Sequence, residues 1–225
     1  MTGQSVSQDS KDSAPLLLEP NKLASYLASK ICHDLVSPVG AAASAIDFRE
    51  DCTTPEMLAE AEDLLQSSTN KALARLQFLR YAFGTMGLSN GMAEMHEARA
   101  IAEGYIGTHK GEIDWNIEAQ GLSFAQVRVM MNLIMLGMAC LSRQGVLKVT
   151  ITEENEKISM VVHASGMRAK LSPSIRMALN HEEPEDGWDP MTIQPYFTTM
   201  IVSELGGSFS FEVGEEQVQF TVTGL

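Results

Sequence analysis

A histidine followed at once by an acid marks the stretch Lys30-Ile31-Cys32-His33-Asp34-Leu35-Val36-Ser37-Pro38-Val39. Imidazole offers an unprotonated ring nitrogen near neutral pH, which suits it to attack phosphorus. A neighbouring carboxylate can accept a hydrogen bond from Nδ1–H. That leaves Nε2 as the nucleophile and stabilises the cation formed on attack. At about 100° per residue on a helix, Asp34 lies within reach of the His33 ring. Lys30, one turn before, can steady phosphate oxygens, and Ser37, one turn after, can donate a hydrogen bond to them. Phosphoryl transfer asks mainly for positioning and charge stabilisation, so few groups suffice when a partner supplies a metal. A surface histidine beside an aspartate is also a common pairing without chemistry. Spacing alone leaves both readings open.

The elements that position this pair follow from periodicity. Leu27, Ile31, Leu35, Val39, Ala42 and Ile46 fall on one side of a helix predicted from about Lys22 to Arg49, with Pro20 in its first turn and Asn21 as a cap. His33 lies opposite, on a polar or small-residue stripe of Tyr26, Ser29, Lys30, Ser37, Gly40, Ser44 and Asp47. That stripe can accept the surface of another molecule. Pro38 removes one backbone hydrogen bond and should bend the helix a turn beyond His33. The run Asp51-Cys52-Thr53-Thr54-Pro55-Glu56 reads as a turn and then a capped helix start. The second helix reaches about Phe83, with Leu58, Ala61, Leu65, Ala72, Leu76, Leu79 and Phe83 as its apolar stripe. On it, Lys71 and Arg75 are either contributors to a docked partner's contacts or ordinary solvated charges. A short turn makes the two helices an antiparallel hairpin. Two helices cannot bury both stripes alone. Either a second copy completes a four-helix dimer bundle, or the hairpin packs on the rest of its own chain.

Residues 1–19 read as a disordered tail, 20–84 as the helical hairpin and 85–91 as a Gly-bearing linker. Residues 92–225 read as mixed α/β. Helices are expected at Ala93–His109, Phe124–Arg143, Pro173–Asn180 and Thr192–Leu205, the second nearly all apolar and hence buried. Strands are expected at Ile113–Ile117, Leu147–Thr152, Lys157–Ala164, Ser208–Val213 and Gln217–Thr223. The fold class is α+β: the hairpin, then a two-layer sandwich with helices on one face of a mostly antiparallel sheet.

Composition narrows the functions. At 225 residues, 44% hydrophobic and 20% charged, the chain can bury a real core. A net charge of −13 disfavours nucleic acid and anionic membrane as partners. No apolar run approaches the roughly 20 residues needed to span a bilayer. The start lacks the order of a signal peptide. Three scattered cysteines suit free thiols in a reducing cytoplasm, and five scattered histidines disfavour a metal site.

His33-Asp34-Leu35-Val36-Ser37-Pro38 resembles the H-box of sensor histidine kinases, His-Asp/Glu-Leu-x-x-Pro. The order of hairpin and then α/β domain is similar to a kinase's dimerisation hairpin followed by a Bergerat-type ATPase domain. The nucleotide motifs depart from that pattern. Asn132 matches the first Asn of Asn-x-x-x-Asn, but Leu136 stands where the second should hold magnesium. Of Asp-x-Gly-x-Gly, the stretch Ala164-Ser165-Gly166-Met167-Arg168 keeps only Gly166, with Ala164 in place of the adenine-binding acid. Gly206-Gly207 resembles the closing Gly-Gly element and equally suits a helix C-cap. A kinase-like fold without nucleotide chemistry resembles the dimeric histidine phosphotransferases of the ChpT family, known from alphaproteobacterial cell-cycle phosphorelays.

The resemblance implies that His33 is the phosphoacceptor and Asp34 the acid that tunes it. It further implies that Lys30, Ser37, Gly40 and Ser44 face a docked receiver domain. It implies a homodimer, a CckA-like hybrid kinase as donor and CtrA-like and CpdR-like response regulators as acceptors. No cofactor is expected on this chain, with Mg2+ held by the partner receiver. A divergent kinase that still uses ATP and a non-catalytic adaptor are the alternatives.

Overall fold

The computed structural model describes residues 17–109, 111–142 and 144–225. Most of the expected tail, residues 1–16, lies outside them. Helix α1 spans Pro20–Glu50 and α2 spans Pro55–Phe83. Pro20 occupies the first turn of α1, where its fixed φ is already helical and its missing N–H costs nothing. Asn21 is not the cap. Glu19 takes that position without a side-chain bond, and the Asn21 carbonyl accepts the Ser25 hydroxyl at 2.9 Å. At α2 the expected cap is present: the Thr54 hydroxyl accepts the Met57 N–H at 3.2 Å, with Pro55 next and Glu56 in the first turn. The turn Asp51–Thr54 folds α2 back along α1.

The stretch after α2 holds a 3-10 turn at Thr85–Leu88, and its Gly87 is buried against the Arg128 side chain, where no Cβ fits. Two-residue strands follow at Met92–Ala93 (β1) and Leu122–Ser123 (β3), paired antiparallel. Pairs this short leave no periodicity in a sequence. Between them lie α3, Met95–Gly107, and β2, Glu112–Ile117. The Ser123 hydroxyl and the Gln126 side chain form a reciprocal capping box that starts α4, Phe124–Cys140. Then come β4 (Val146–Glu154), β5 (Lys157–Ser165), α5 (Pro173–Leu179), α6 (Ile193–Glu204), β6 (Ser208–Gly214) and β7 (Gln217–Thr223). The large sheet has the order β2-β4-β5-β7-β6, with only β2–β4 parallel. Its fold class is therefore the expected α+β.

Leu147, Val149 and Ile151 of β4, Met160, Val162 and Ala164 of β5, and Val218, Phe220 and Val222 of β7 alternate inward under α4. A Cβ on Gly137 would fall 2.8 Å from Leu147 and 3.0 Å from Val162, so α4 rests directly on the sheet there. Its Met130, Met131 and Met135 are buried, where their flexible side chains fill the core.

The hairpin packs on the rest of its own chain for part of its length. Leu23, Leu27, Ile31 and Leu35 pack on the core of the same chain, and Phe78, Leu79, Tyr81 and Ala82 are buried in it. Other apolar residues of the hairpin stay uncovered: Val39 is 55% exposed, Ile46 48%, Leu73 51% and Leu76 50%.

Candidate phosphotransfer site

His33 projects from the middle of α1 with 58% of its side chain exposed. Its Nδ1 lies 3.1 Å from Asp34 Oδ1. With Nδ1 protonated, the ring donates there and leaves the Nε2 lone pair free. Asp34 itself is nearly covered, at 12% exposure of its side chain. Lys30 Nζ donates to Oδ1 at 3.0 Å and sits 2.9 Å from Oδ2. The approach to Oδ2 is off the hydrogen-bond direction, so Oδ2 is in ion-pair contact without a directed bond.

Lys30 therefore differs from its expected place. Its residue is only 6% exposed and its ammonium is committed to Asp34, so it does not join the open surface around His33. On the helical wheel Lys30 and Asp34 are i,i+4 neighbours, and the C-terminal part of the chain covers that side. Ser37, Gly40 and Ser44 are exposed on the His33 face. A Cβ on Gly40 would meet nothing within 4 Å, which leaves the backbone bare there.

Lys71, one of the two residues the sequence left undecided, is exposed, and Arg75 is the other. It is neither a solvated charge nor part of the open face. Its NH1 donates to the backbone carbonyl of Asp34 at 2.8 Å, and its Nε reaches the Thr108 hydroxyl at 3.4 Å. The reason lies in Pro38. Four residues after Asp34, proline has no N–H, so the Asp34 carbonyl has no partner within the helix. Arg75 supplies that partner from α2. Pro38 was the signal in the sequence: a helical proline leaves an orphan acceptor four residues back, and a donor must be sought.

The end of α3 completes the inner side of the site. The Tyr105 ring stacks on Phe78 of α2 at 3.9 Å between centroids. Burial first, and then the Asp34 charge, raises its phenol well above the ordinary tyrosine range. The Thr108 hydroxyl donates to the Tyr105 carbonyl at 2.8 Å. His109 lies against the Tyr105 ring, and burial is the main cause that lowers its imidazole pKa.

The positions that would bind nucleotide in a kinase serve the core instead. Asn132 is fully buried, and its Nδ2 donates to the Ala82 and Arg128 carbonyls, each at 2.9 Å. Its Oδ1 accepts from Gln194 Nε2 at 3.1 Å, tying α2, α4 and α6 together. Leu136 and Ala164 are fully buried in the apolar core. The Gly166 and Arg168 N–H groups bond to Glu216 in the β6–β7 turn, at 3.2 Å to its carbonyl and 3.0 Å to its carboxylate. Gly206 has φ +75°, and the bonds Gly207 N–H to Val202 and Gly206 N–H to Ser203 form a Schellman cap on α6. Among the described residues, no three His, Cys, Asp or Glu side chains converge as metal ligands.

The family model described as "Histidine phosphotransferase C-terminal domain" matches residues 95–217, from the start of α3 into β7. The chain belongs to the histidine phosphotransferase family. It is 29% identical over 209 residues to the protein phosphotransferase ChpT of Brucella abortus (strain 2308), covering 93% of this chain and 99% of that one. It is also similar to a solved bacterial phosphotransferase, with a TM-score of 0.82 and 28% identity over 93% of this chain and 100% of the other. Within a histidine phosphotransferase, an exposed imidazole backed by a fixed carboxylate is the group to examine for the chemistry.

Proposed function

We propose that this chain is a phosphorelay intermediate that carries a phosphoryl group on His33 between aspartates of receiver domains. The observation that supports this most is the exposed ring with Nδ1 held at 3.1 Å by a carboxylate that a buried lysine fixes. His33 Nε2 attacks the phosphorus of a receiver's aspartyl phosphate in line. An N–P bond forms as the P–O bond to the aspartate breaks, and the electron pair leaves with that carboxylate. The phosphorylated imidazole keeps its proton on Nδ1, and Asp34 stabilises the resulting cation. In the second step a carboxylate oxygen of another receiver attacks phosphorus, and the pair of the broken N–P bond returns to Nε2. The magnesium of the reaction belongs to the receiver, and this chain contributes nucleophile, carboxylate and docking surface. Ser37, Gly40 and Ser44 form that surface beside His33.

By family likeness the donor is the receiver of a hybrid histidine kinase and the acceptors are cytoplasmic response regulators, in cell-cycle control. The burial of Leu136 and Ala164 supports a reaction that does not use ATP, because neither position can present a polar group to nucleotide or metal. The test is a three-component relay: a labelled phosphorylated donor receiver, this chain, and a second receiver. Label should appear on the chain and then on the acceptor. A chain that never takes label from any phosphorylated receiver would contradict the proposal.

The same reading includes a homodimer. At about 100° per residue, Val39 and Ile46 point well away from His33, and with Leu73 and Leu76 of α2 they leave apolar surface of the hairpin uncovered. A second hairpin can cover it and leave His33 open. Ile46→Asp should shift sedimentation from dimer toward monomer without loss of helix by circular dichroism. A wild-type chain that sediments as a monomer at all concentrations would sink this part.

A further inference from the structure

We infer that Arg75 is a positioning residue for the phosphotransfer proposed above: through the Asp34 carbonyl it couples the C-terminal domain to the tautomer of His33. Asp34 is gripped at both ends. Lys30 holds its carboxylate, while Arg75 holds its carbonyl at 2.8 Å. The carbonyl needs this grip because Pro38 removes the N–H that a regular helix would offer it. An unmade bond at that point frees the backbone one residue from His33. The Asp34 carboxylate would then drift from Nδ1, and Nε2 would no longer be the assured nucleophile.

The second arm of Arg75 gives the C-terminal domain its part. Thr108 caps α3, takes the Arg75 Nε at 3.4 Å and donates onward to the Tyr105 carbonyl at 2.8 Å. Tyr105 is stacked on Phe78 of α2 and buried. The guanidinium therefore sits between the core of the α/β domain and the backbone of the reactive residue pair. Its planar fork serves both acceptors at once, which a lysine cannot do with the same geometry.

The measurement is single-turnover transfer from a phosphorylated receiver, with the His33 tautomer followed by nitrogen NMR. Arg75→Met should slow transfer at saturating receiver on the order of 10- to 100-fold, the scale of a misplacement of about 1 Å. The receiver concentration for half-saturation should be nearly unchanged, and the Nδ1–H tautomer population should fall. Arg75→Lys should recover part of the rate. Thr108→Val should have a smaller effect in the same direction. Pro38→Ala restores an N–H to the Asp34 carbonyl, so Arg75→Met should matter much less in that background. Three results would overturn the inference: Arg75→Met transferring at the wild-type rate, a loss confined to half-saturation, or equal losses with and without Pro38. If the wild-type chain accepts no label, the relay reading itself fails; normal wild-type transfer with an indifferent Arg75 refutes only this inference.

Discussion

His33→Ala should abolish phosphoryl acceptance, a loss on the order of 10³-fold or more, while the chain keeps its fold. The ring is 58% exposed, and among the described residues its hydrogen-bond contact is to Asp34. Removing it opens no cavity in the core and leaves Asp34 paired with Lys30. Circular dichroism and thermal unfolding should therefore match wild type within about 0.5 kcal/mol, as for a surface substitution. Transfer that survives His33→Ala would place the carrier elsewhere in the chain.

Asp34→Ala should show a large loss of both activity and stability, and the two can be separated. On activity, loss of the carboxylate removes both the tautomer constraint and the counter-charge for the phosphorylated ring. A decrease on the order of 10²- to 10³-fold is expected. On stability, the substitution strands the Lys30 ammonium, whose side chain is only 7% exposed. An uncompensated buried charge costs about 3 kcal/mol or more. The double variant Lys30→Met, Asp34→Ala replaces the pair by apolar groups and should regain most of the stability, because the desolvation penalty disappears with the charge. It should not regain transfer. Denaturant unfolding and single-turnover transfer on wild type and the two variants decide the matter. Recovery of transfer in the double variant would show that Asp34 matters only for folding.

The hairpin was legible in the sequence because the apolar stripes run for about five turns in the first helix and about seven in the second, and the intervening Thr54-Pro55-Glu56 is a strong start signal. The strands β4, β5 and β7 were legible for the same reason, through clean alternation. Two-residue β1 and β3 had no period to read. His33 and Asp34 were nominated by residue type and adjacency, and the structure adds the geometry that joins them. Lys30 was misplaced because the wheel puts it on the His33 side of α1 but says nothing of what covers that side. The burial of Lys30 comes from residues far from it in the chain, which a wheel cannot show. Arg75 needed the same long-range information: only the folded hairpin shows which guanidinium meets the carbonyl that Pro38 leaves free. The Asn132 position illustrates the reverse case. A residue type that fits a nucleotide motif is here a buried tie between three helices.

In the proposed relay, His33 takes its phosphoryl group from a receiver aspartate and not from ATP. The direct measurement incubates the purified chain with magnesium and γ-labelled ATP, and in parallel with a labelled phosphorylated receiver, then maps acid-labile label by mass spectrometry. Label on His33 with the receiver, and none with ATP alone, is the expected result. Label on His33 from ATP in the absence of any other protein would contradict it.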